Sequence, residues 1–433
     1  MTERTEEAAH AGTQAQCLDR STYVASMKAF SSPLPASTLN IEGKSRSNLF
    51  SWRGQFSPQL VEALLRAYAA PGSVVLDPFM GSGTVLIESA RLGLPVYGYE
   101  VNPAAYLRAR IYELCSLTKS ERIELLQRAE TVLTRLHPAA FELPLFRTVS
   151  TDSQPPGNIL DWIRKTPDPH VKMLLETLVV LLDDDAASDY SYANNWSVIR
   201  EIVTYLPFSE TPVCPALGDA RAMPLSDGTI DFVLSSPPYI NVFNYHHNSR
   251  TGIESLGWKP LVIARSEIGS NRKFRQNRFL TVVQYCIDMA LALAELRRVC
   301  TESARILLIL GRESKVHKTA FYNSQIVERL AREVIGFRLH LKQERVFTNR
   351  FGQRIYEDIL HLSPQPGYSR SKQTIVEGAR HLGREVLLEA VERTPSERRH
   401  YLRGAIADAD RVEASPILAV DLCYRLRLLG LGA

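Results

Sequence analysis

Asp77-Pro78-Phe79-Met80-Gly81-Ser82-Gly83-Thr84 is the stretch that decides the fold. It follows the short β-branched run Ser73 to Leu76 and precedes Val85 to Leu92, whose apolar spacing predicts a helix closed by Gly93. Leu94 to Tyr99 reads as the next strand, which makes this a βαβ unit. Two glycines let the backbone turn sharply and let a ligand approach, and the helix starting near Thr84 offers free N–H groups. A nucleotide-like cofactor fits such a loop. The phosphate reading is weaker, because the spacing is neither G-x-x-x-x-G-K nor G-x-G-x-x-G. Glu100 ends the second strand, where a carboxylate can accept hydrogen bonds from both hydroxyls of a ribose.

Upstream, Leu60, Val61, Leu64 and Leu65 share one face of a helix predicted over Pro58 to Tyr68, stopped by Ala70-Pro71-Gly72. Downstream, strands are predicted at Ile230 to Leu234, Arg305 to Leu310, Phe337 to Gln343 and Tyr356 to His361, with a helix at Ser324 to Glu333. Alternation of strands and helices is the pattern of a doubly wound α/β domain. Between the two groups of strands the chain reads as helical over Lys119 to Leu136, His170 to Leu182 and Asn194 to Tyr205. The expected organisation is a flexible arm at 1–45, the α/β domain at 46–112 and 213–364, a helical insertion at 113–212 and a helical C-terminal extension at 365–433. Within the extension, Thr374 to Arg393 and the tail from Ser396 to Ala433 look helical, and order is expected to begin near Asn48.

Composition excludes several classes. The chain has 433 residues, and 51 Lys+Arg against 47 Asp+Glu leave a net charge of +4, too little for histone-like binding. The most apolar run, Met173 to Leu182, is short and contains Glu176, so no membrane span is expected. Met1 to Gln16 is polar and acidic and does not read as a signal peptide, which favours a cytoplasmic location. Cys17, Cys115, Cys214, Cys286, Cys300 and Cys423 are scattered with no C-x-x-C pair, which argues against a zinc knuckle or a disulfide framework.

A second group lies just beyond the buried-looking run Asp231 to Leu234: Ser236-Pro237-Pro238-Tyr239. In an open α/β sheet, ligands sit at the carboxyl ends of the strands, so this tetrapeptide and the Asp77 loop should face one crevice. The prolines fix the backbone and remove two N–H donors, leaving carbonyls and the Ser236 hydroxyl as acceptors. Such a site suits an amine. An exocyclic amino group donating to Ser236 and to the Pro237 carbonyl has its lone pair drawn out of conjugation, and Tyr239 offers a stacking face for its base.

Together these residues resemble the amino-methylating DNA methyltransferases, which carry a D-P-F-x-G-S-G-T loop and an (S/D/N)-P-P-Y tetrapeptide. The lead-in Trp52-Arg53-Gly54-Gln55-Phe56-Ser57-Pro58 looks like the family's cofactor segment ahead of a helix. Gly218-Asp219-Ala220 looks like the family's carboxylate that reads the adenine amino group of the cofactor. The resemblance implies a Rossmann-like methyltransferase sheet, S-adenosyl-L-methionine as cofactor and double-stranded DNA as substrate. It assigns the cofactor to Gln55, Phe56 and Ser57, to Asp77, Pro78, Phe79, Gly81, Ser82, Gly83 and Thr84, to Glu100, Val101 and Asn102, and to Asp219 and Ala220. Catalysis falls to Ser236, Pro237, Pro238 and Tyr239, with a flipped base and direct transfer to an exocyclic nitrogen.

Ser-Pro-Pro-Tyr usually goes with N4 of cytosine in the family, whereas Asp or Asn in place of the serine usually goes with N6 of adenine. The absence of a Pro-Cys dipeptide sets cytosine-5 chemistry aside. A place in a restriction-modification or similar defence system, with a cognate restriction endonuclease, is implied in the same way. Two alternatives stand beside this reading. One is an RNA guanine-N2 methyltransferase, a group with a similar loop, Gly-Asp-Ala element and Pro-Pro-Tyr; the other is an idle DNA-binding module that keeps the fold.

For DNA, the stretch Asn241 to Arg250 is dense in aromatic and amide groups, and Asn241, Asn244, Tyr245 and Arg250 are candidates for lining the base pocket. Arg265, Arg272, Lys273, Arg275 and Arg278 form a local basic stretch against Glu267, suited to phosphate contacts. His246 and His247 lack a third ligand, so no metal is expected. The family normally leaves a short gap between the ribose carboxylate and the adenine carboxylate, but more than a hundred residues separate Glu100 from Asp219. The inserted helices, together with the tail after Pro364, are therefore the expected reader of bases.

Overall fold

A computed structural model of the chain describes residues 28–41, 43, 45–50, 52, 54–136, 159–182, 189–240, 249–269, 274, 276–349 and 352–418. Seven strands form one sheet: β1 (Val75–Asp77), β2 (Val96–Glu100), β3 (Val213–Leu217), β4 (Ile230–Ser235), β5 (Cys300–Gly311), β8 (Phe337–Thr348) and β9 (Arg354–Pro364). Two short strands, β6 (Ser314–Val316) and β7 (Thr319–Phe321), make a separate hairpin. The sheet order is β3-β2-β1-β4-β5-β9-β8, with β9 antiparallel to both its neighbours and the other pairings parallel. This is the expected doubly wound α/β sheet. The chain winds from β1 outward to β3 and then returns to the other side of β1 with β4, so the switch point lies between β1 and β4.

Alternation along the strands builds two cores. Val75, Val96, Phe232, Leu234 and Leu307 face one side, where the helices Pro58–Tyr68 and Thr84–Arg91 pack. Leu76, Val233, Ile306 and Leu308 face the other, against the helices Leu280–Val299 and Lys372–Glu389. The described helices of the insertion, Lys119–Leu136, Ile159–Lys165, Pro169–Leu182 and Asp189–Thr204, join the first core through Leu125, Leu174 and Trp196. Thr177 Oγ1 also donates to the Leu107 carbonyl at 3.0 Å, tying the insertion to the helix that follows β2.

Several elements depart from the sequence reading. Residues 28–41 are docked rather than loose: Phe30, Leu34 and Leu39 are buried, Gln343 Nε2 donates to the Leu34 carbonyl at 3.0 Å, and Val346 N donates to Asn40 Oδ1 at 2.7 Å. Residues 1–27 of the expected arm lie outside the described residues. The helix Leu280–Val299 has no periodic signature in the sequence because nearly all its faces are buried, so it carries no polar stripe to set a period. β3 holds Pro215 mid-strand, which disguises it; β3 is an edge strand, where proline is tolerated. In the tail, helical turns run from Ser396 to Arg411 and residues 412–418 form no helix or strand, while residues 419–433 lie outside the described residues. No helix among the described residues is long and apolar enough to cross a membrane.

Candidate active site

The carboxyl ends of β1 and β4 meet side by side. Asp77, the last residue of β1, accepts from the Ser235 hydroxyl at 2.6 Å and from Phe79 N at 3.1 Å. Burial pushes the Asp77 carboxyl up to about 7 against the pull of those two donors. The loop then turns into the helix Thr84–Arg91 through Gly83, whose φ of +85° is left-handed; a Cβ there would lie 2.8 Å from the Tyr112 ring. At the end of β2, Glu100 accepts from Gly81 N at 2.9 Å and from Asn102 N at 2.8 Å. Burial likewise raises Glu100 to about 7. Each of its oxygens keeps a second lone pair, which leaves room for two hydroxyl donors.

The lead-in clamps this loop from outside. Gln55 Nε2 bonds to the Ser82 hydroxyl and to the Phe50 carbonyl, and Asn48 Nδ2 donates to Thr84 Oγ1 at 2.8 Å and to the Phe56 carbonyl at 2.9 Å. Asn102 caps the helix Pro103–Arg110 by accepting from Ala104 N at 2.9 Å.

One cavity gathers most of the expected residues. Gln55, Phe56, Asp77, Pro78, Phe79, Gly81, Ser82 and Thr84 line it, with Glu100, Val101, Asn102, Asp219 and Ala220. Ser236, Pro238 and Tyr239 line the same cavity. Three expected residues do not reach its wall. Ser57 stands at the N-cap of the helix Pro58–Tyr68, Gly83 turns the loop, and Pro237 is buried beside its neighbours. The lining also includes Trp52, Gly54, Met80 and Tyr99, and Ser266, Glu267 and Ile268 from the segment ahead of the basic stretch. Trp52 and Gly54 stand in the lead-in that the sequence singles out, whereas Ser266 to Ile268 sit in a loop with no pattern to find.

Charge on this wall is one-sided. Asp77, Glu100, Asp219 and Glu267 contribute carboxylates, and no lysine or arginine is among the described lining residues. Such a wall disfavours a phosphate and suits a cationic ligand that offers hydroxyl donors.

Asp219 corrects one expectation. A carboxylate that reads an adenine amino group needs a spare acceptor, but both oxygens of Asp219 are taken. Oδ1 accepts from Arg221 N at 3.0 Å and Arg221 Nε at 2.9 Å, and Oδ2 accepts from Arg221 Nη2 at 2.6 Å and Leu418 N at 3.0 Å. Four bonds use the roughly four lone-pair positions of a carboxylate. In this arrangement Asp219 forms part of the wall without a free acceptor.

The tetrapeptide is held from behind. Tyr285, fully buried, donates its hydroxyl to the Pro238 carbonyl at 3.1 Å, and Ile240 N donates to Asn323 Oδ1 at 3.2 Å. Asn323 in turn donates to Ser314 Oγ at 2.9 Å. The Tyr239 ring lies over Gly311 at the end of β5, where a Cβ would fall 2.7 Å from it. Ser236 Oγ stands 3.3 Å from the Tyr239 hydroxyl. The sequence reading missed both Tyr285 and Asn323; their signal is tertiary.

Of the residues expected to meet DNA, Asn241, Asn244, Tyr245, Arg272, Lys273 and Arg275 lie outside the described residues. Arg265 is exposed and Arg278 half-buried. Arg250 pairs with Glu254 at 2.8 Å one helical turn on, and does not line the cavity.

Residues 21–110 match the family described as DNA methylase, of the N6/N4 type. The likeness to that family is confined to this stretch, about a fifth of the chain. The matched stretch holds the lead-in, the glycine loop and Glu100, and it ends before the tetrapeptide. Among curated relatives, the type II methyltransferase M.MjaII of Methanocaldococcus jannaschii is 36% identical over 72 residues, 16% of this chain and 14% of that protein. The tRNA (guanine(6)-N2)-methyltransferase of Thermus thermophilus is 47% identical over 68 residues, 15% of this chain and 20% of that protein. The chain thus spans about a seventh and a fifth of the length of these two relatives. A solved SAM-dependent methyltransferase of Methanosarcina mazei aligns with a TM-score of 0.31 at 11% identity, over 67% of this chain and 92% of that one.

Proposed function

We propose that this chain is an S-adenosyl-L-methionine-dependent DNA methyltransferase that modifies the exocyclic N4 of cytosine in duplex DNA. The observation that carries the reading is the shared cavity: Ser236, Pro238 and Tyr239 open onto the same space as the Gly81 loop and Glu100. The cofactor supplies a methyl group on a sulfonium, and a cavity lined by carboxylates without cations suits that charge. Glu100, with a spare lone pair on each oxygen, would hold the ribose hydroxyls; Gln55 and the Ser82 loop would hold the methionine end.

In the acceptor half, Ser236 Oγ, which lines the cavity, would accept a hydrogen bond from the target amino group, freeing its lone pair for in-line attack. Tyr239, braced on Gly311, would stack the flipped base. Positioning then supplies much of the acceleration. Arg265 and Arg278 are the described candidates for phosphate contacts. The helices of 113–212 and the extension beyond 364 are the candidates for reading sequence, and a restriction-modification system with a cognate endonuclease is the proposed setting.

N6 of adenine is the neighbouring alternative within the same chemistry. A reading as an RNA guanine-N2 methyltransferase is favoured by one observation, the 47% identity to the Thermus thermophilus enzyme over 68 residues. One assay separates all three. The purified chain is incubated with methyl-labelled cofactor and either duplex DNA or tRNA, and the nucleosides are resolved by mass spectrometry. Label in N4-methylcytosine supports the proposal; label in N6-methyladenine or in N2-methylguanosine of tRNA replaces it.

A further inference from the structure

We propose that Arg221 is a positioning residue that fastens the C-terminal segment 412–418 to one wall of the cofactor cavity, making that segment part of the binding site. The inference rests on the reading of the cavity as an S-adenosyl-L-methionine site. It adds a determinant that lies far from the glycine loop in sequence.

The Arg221 side chain is 0% exposed, and every guanidinium nitrogen is engaged. Nε and Nη2 grip Asp219 in a fork at 2.9 and 2.6 Å, the geometry that arginine offers to carboxylates. Nη2 also reaches the Ser266 carbonyl at 3.0 Å. Asp219 and Ser266 both line the cavity, but they come from separate loops, and Arg221 is the group that joins them.

The other contacts of Arg221 go to the C-terminal segment. Nη1 donates to the Ser415 carbonyl and Nη2 to the Pro416 carbonyl, each at 2.9 Å. Nη1 also pairs at 2.9 Å with Asp288, on the helix Leu280–Val299. Asp288 completes the link by accepting from Ser415 N at 2.8 Å and from Ser415 Oγ at 2.7 Å. Further along, Leu418 N donates to Asp219 Oδ2 at 3.0 Å, closing a circuit from the cavity wall through the segment and back. Residues 412–418 form no helix or strand of their own, so these bonds, with those from Arg380 to the Val412 carbonyl and Gln284 to the Glu413 carbonyl, define their path.

One cation thus serves two buried carboxylates. The excess negative charge is tolerable only while the donors from Ser415 and Leu418 stay in place. Loosening the segment therefore frees Asp219 to rotate and separates the two loops that shape the wall. The effect falls on cofactor affinity, because the tetrapeptide is braced independently by Tyr285 and Asn323.

The test measures S-adenosylhomocysteine binding by calorimetry, and methyl transfer to DNA, in the full chain and in Leu418→Pro, Ser415→Ala and Arg221→Lys. Leu418→Pro removes one N–H donor and Ser415→Ala one hydroxyl; Arg221→Lys keeps the charge but loses the fork. Each variant is expected to weaken binding, by about tenfold for Arg221→Lys and several-fold for the others. KM for the cofactor should rise in step, with kcat at saturating cofactor within twofold of the unaltered chain. A merely structural role would instead lower the folded fraction and leave the affinity of the remainder unchanged. If Leu418→Pro does not fold, Ser415→Ala and Arg221→Lys carry the test. Tight binding by the unaltered chain with equal binding by the folded variants overturns the inference alone, whereas no binding by the unaltered chain overturns the cofactor reading and the inference with it.

Discussion

The Ser235 hydroxyl donates to Asp77 Oδ1 at 2.6 Å, joining the last residue of β4 to the last residue of β1 at the point where the sheet reverses its winding. Both side chains are buried, and each begins a loop with chemistry on it: Asp77 leads into the glycine loop and Ser235 into Ser236-Pro237-Pro238-Tyr239. The bond fixes the spacing between the proposed cofactor half and the proposed acceptor half of the cavity.

Ser235→Ala tests that link. It leaves Asp77 Oδ1 with Phe79 N as its remaining donor among the described residues and should cost about 1–2 kcal/mol of stability. Thermal unfolding should show the loss, and transfer should fall further than stability, because the two halves of the site lose their register. A kcat equal to that of the unaltered chain would show that the spacing does not depend on this bond.

Tyr285→Phe removes the hydroxyl that holds the Pro238 carbonyl and nothing else. The expected result is a fall in kcat of roughly tenfold, about 1.4 kcal/mol, with cofactor affinity unchanged. Gly311→Ala should be worse, since its Cβ would press on the Tyr239 ring at 2.7 Å. Kinetics paired with S-adenosylhomocysteine titration checks both.

Asp77, Glu88 and Glu100 are each raised by burial to about 7, from ordinary values of 3.8, 4.5 and 4.5. The sign follows directly. Each group binds its proton more tightly folded than unfolded, so its contribution to stability is full below its unfolded value and is lost as pH rises through about 7. Denaturant titrations of the ligand-free chain at pH 6 and pH 8 should show this loss, and Glu88→Gln should reduce it.

Cofactor binding should run the other way. With Glu100 in its proposed role as acceptor for the ribose hydroxyls, its ionised form accepts best, so affinity for S-adenosylhomocysteine should improve as pH rises through about 7, with proton release on binding. Calorimetry in buffers of different ionisation enthalpy measures that release, and Glu100→Gln should bind more weakly and remove most of it.

The inserted helices should not be separable from the domain. Leu125, Leu174 and Trp196 share one core with the helices beside β1, so deleting 119–204 should leave a chain that fails to unfold cooperatively. Cooperative melting of the deleted form would show that the insertion is an independent module.

Local features were legible in the sequence and distant ones were not. The glycine loop and Glu100 could be placed because strand, turn and helix follow each other within some thirty residues. The tetrapeptide could be placed because it directly follows a buried run. The partners of Asp219 escaped because one of them, Leu418, stands 199 residues away. The helix Leu280–Val299 carries no polar stripe, and β3 carries Pro215, so the two patterns that announce helix and strand are absent from those segments. The +4 net charge gave no hint of a cavity walled by carboxylates, since that asymmetry is local.

Ser236 and Tyr239 are proposed to act on an amino group brought to the cavity beside the glycine loop. The most direct measurement is methyl transfer to duplex DNA by the unaltered chain, Ser236→Ala and Tyr239→Ala, read as modified nucleosides alongside S-adenosylhomocysteine affinity. The expected result is N4-methylcytosine from the unaltered chain and a loss of at least a hundredfold in both variants, with cofactor affinity within threefold. Full transfer by either variant, or label that enters tRNA and not DNA, would contradict it.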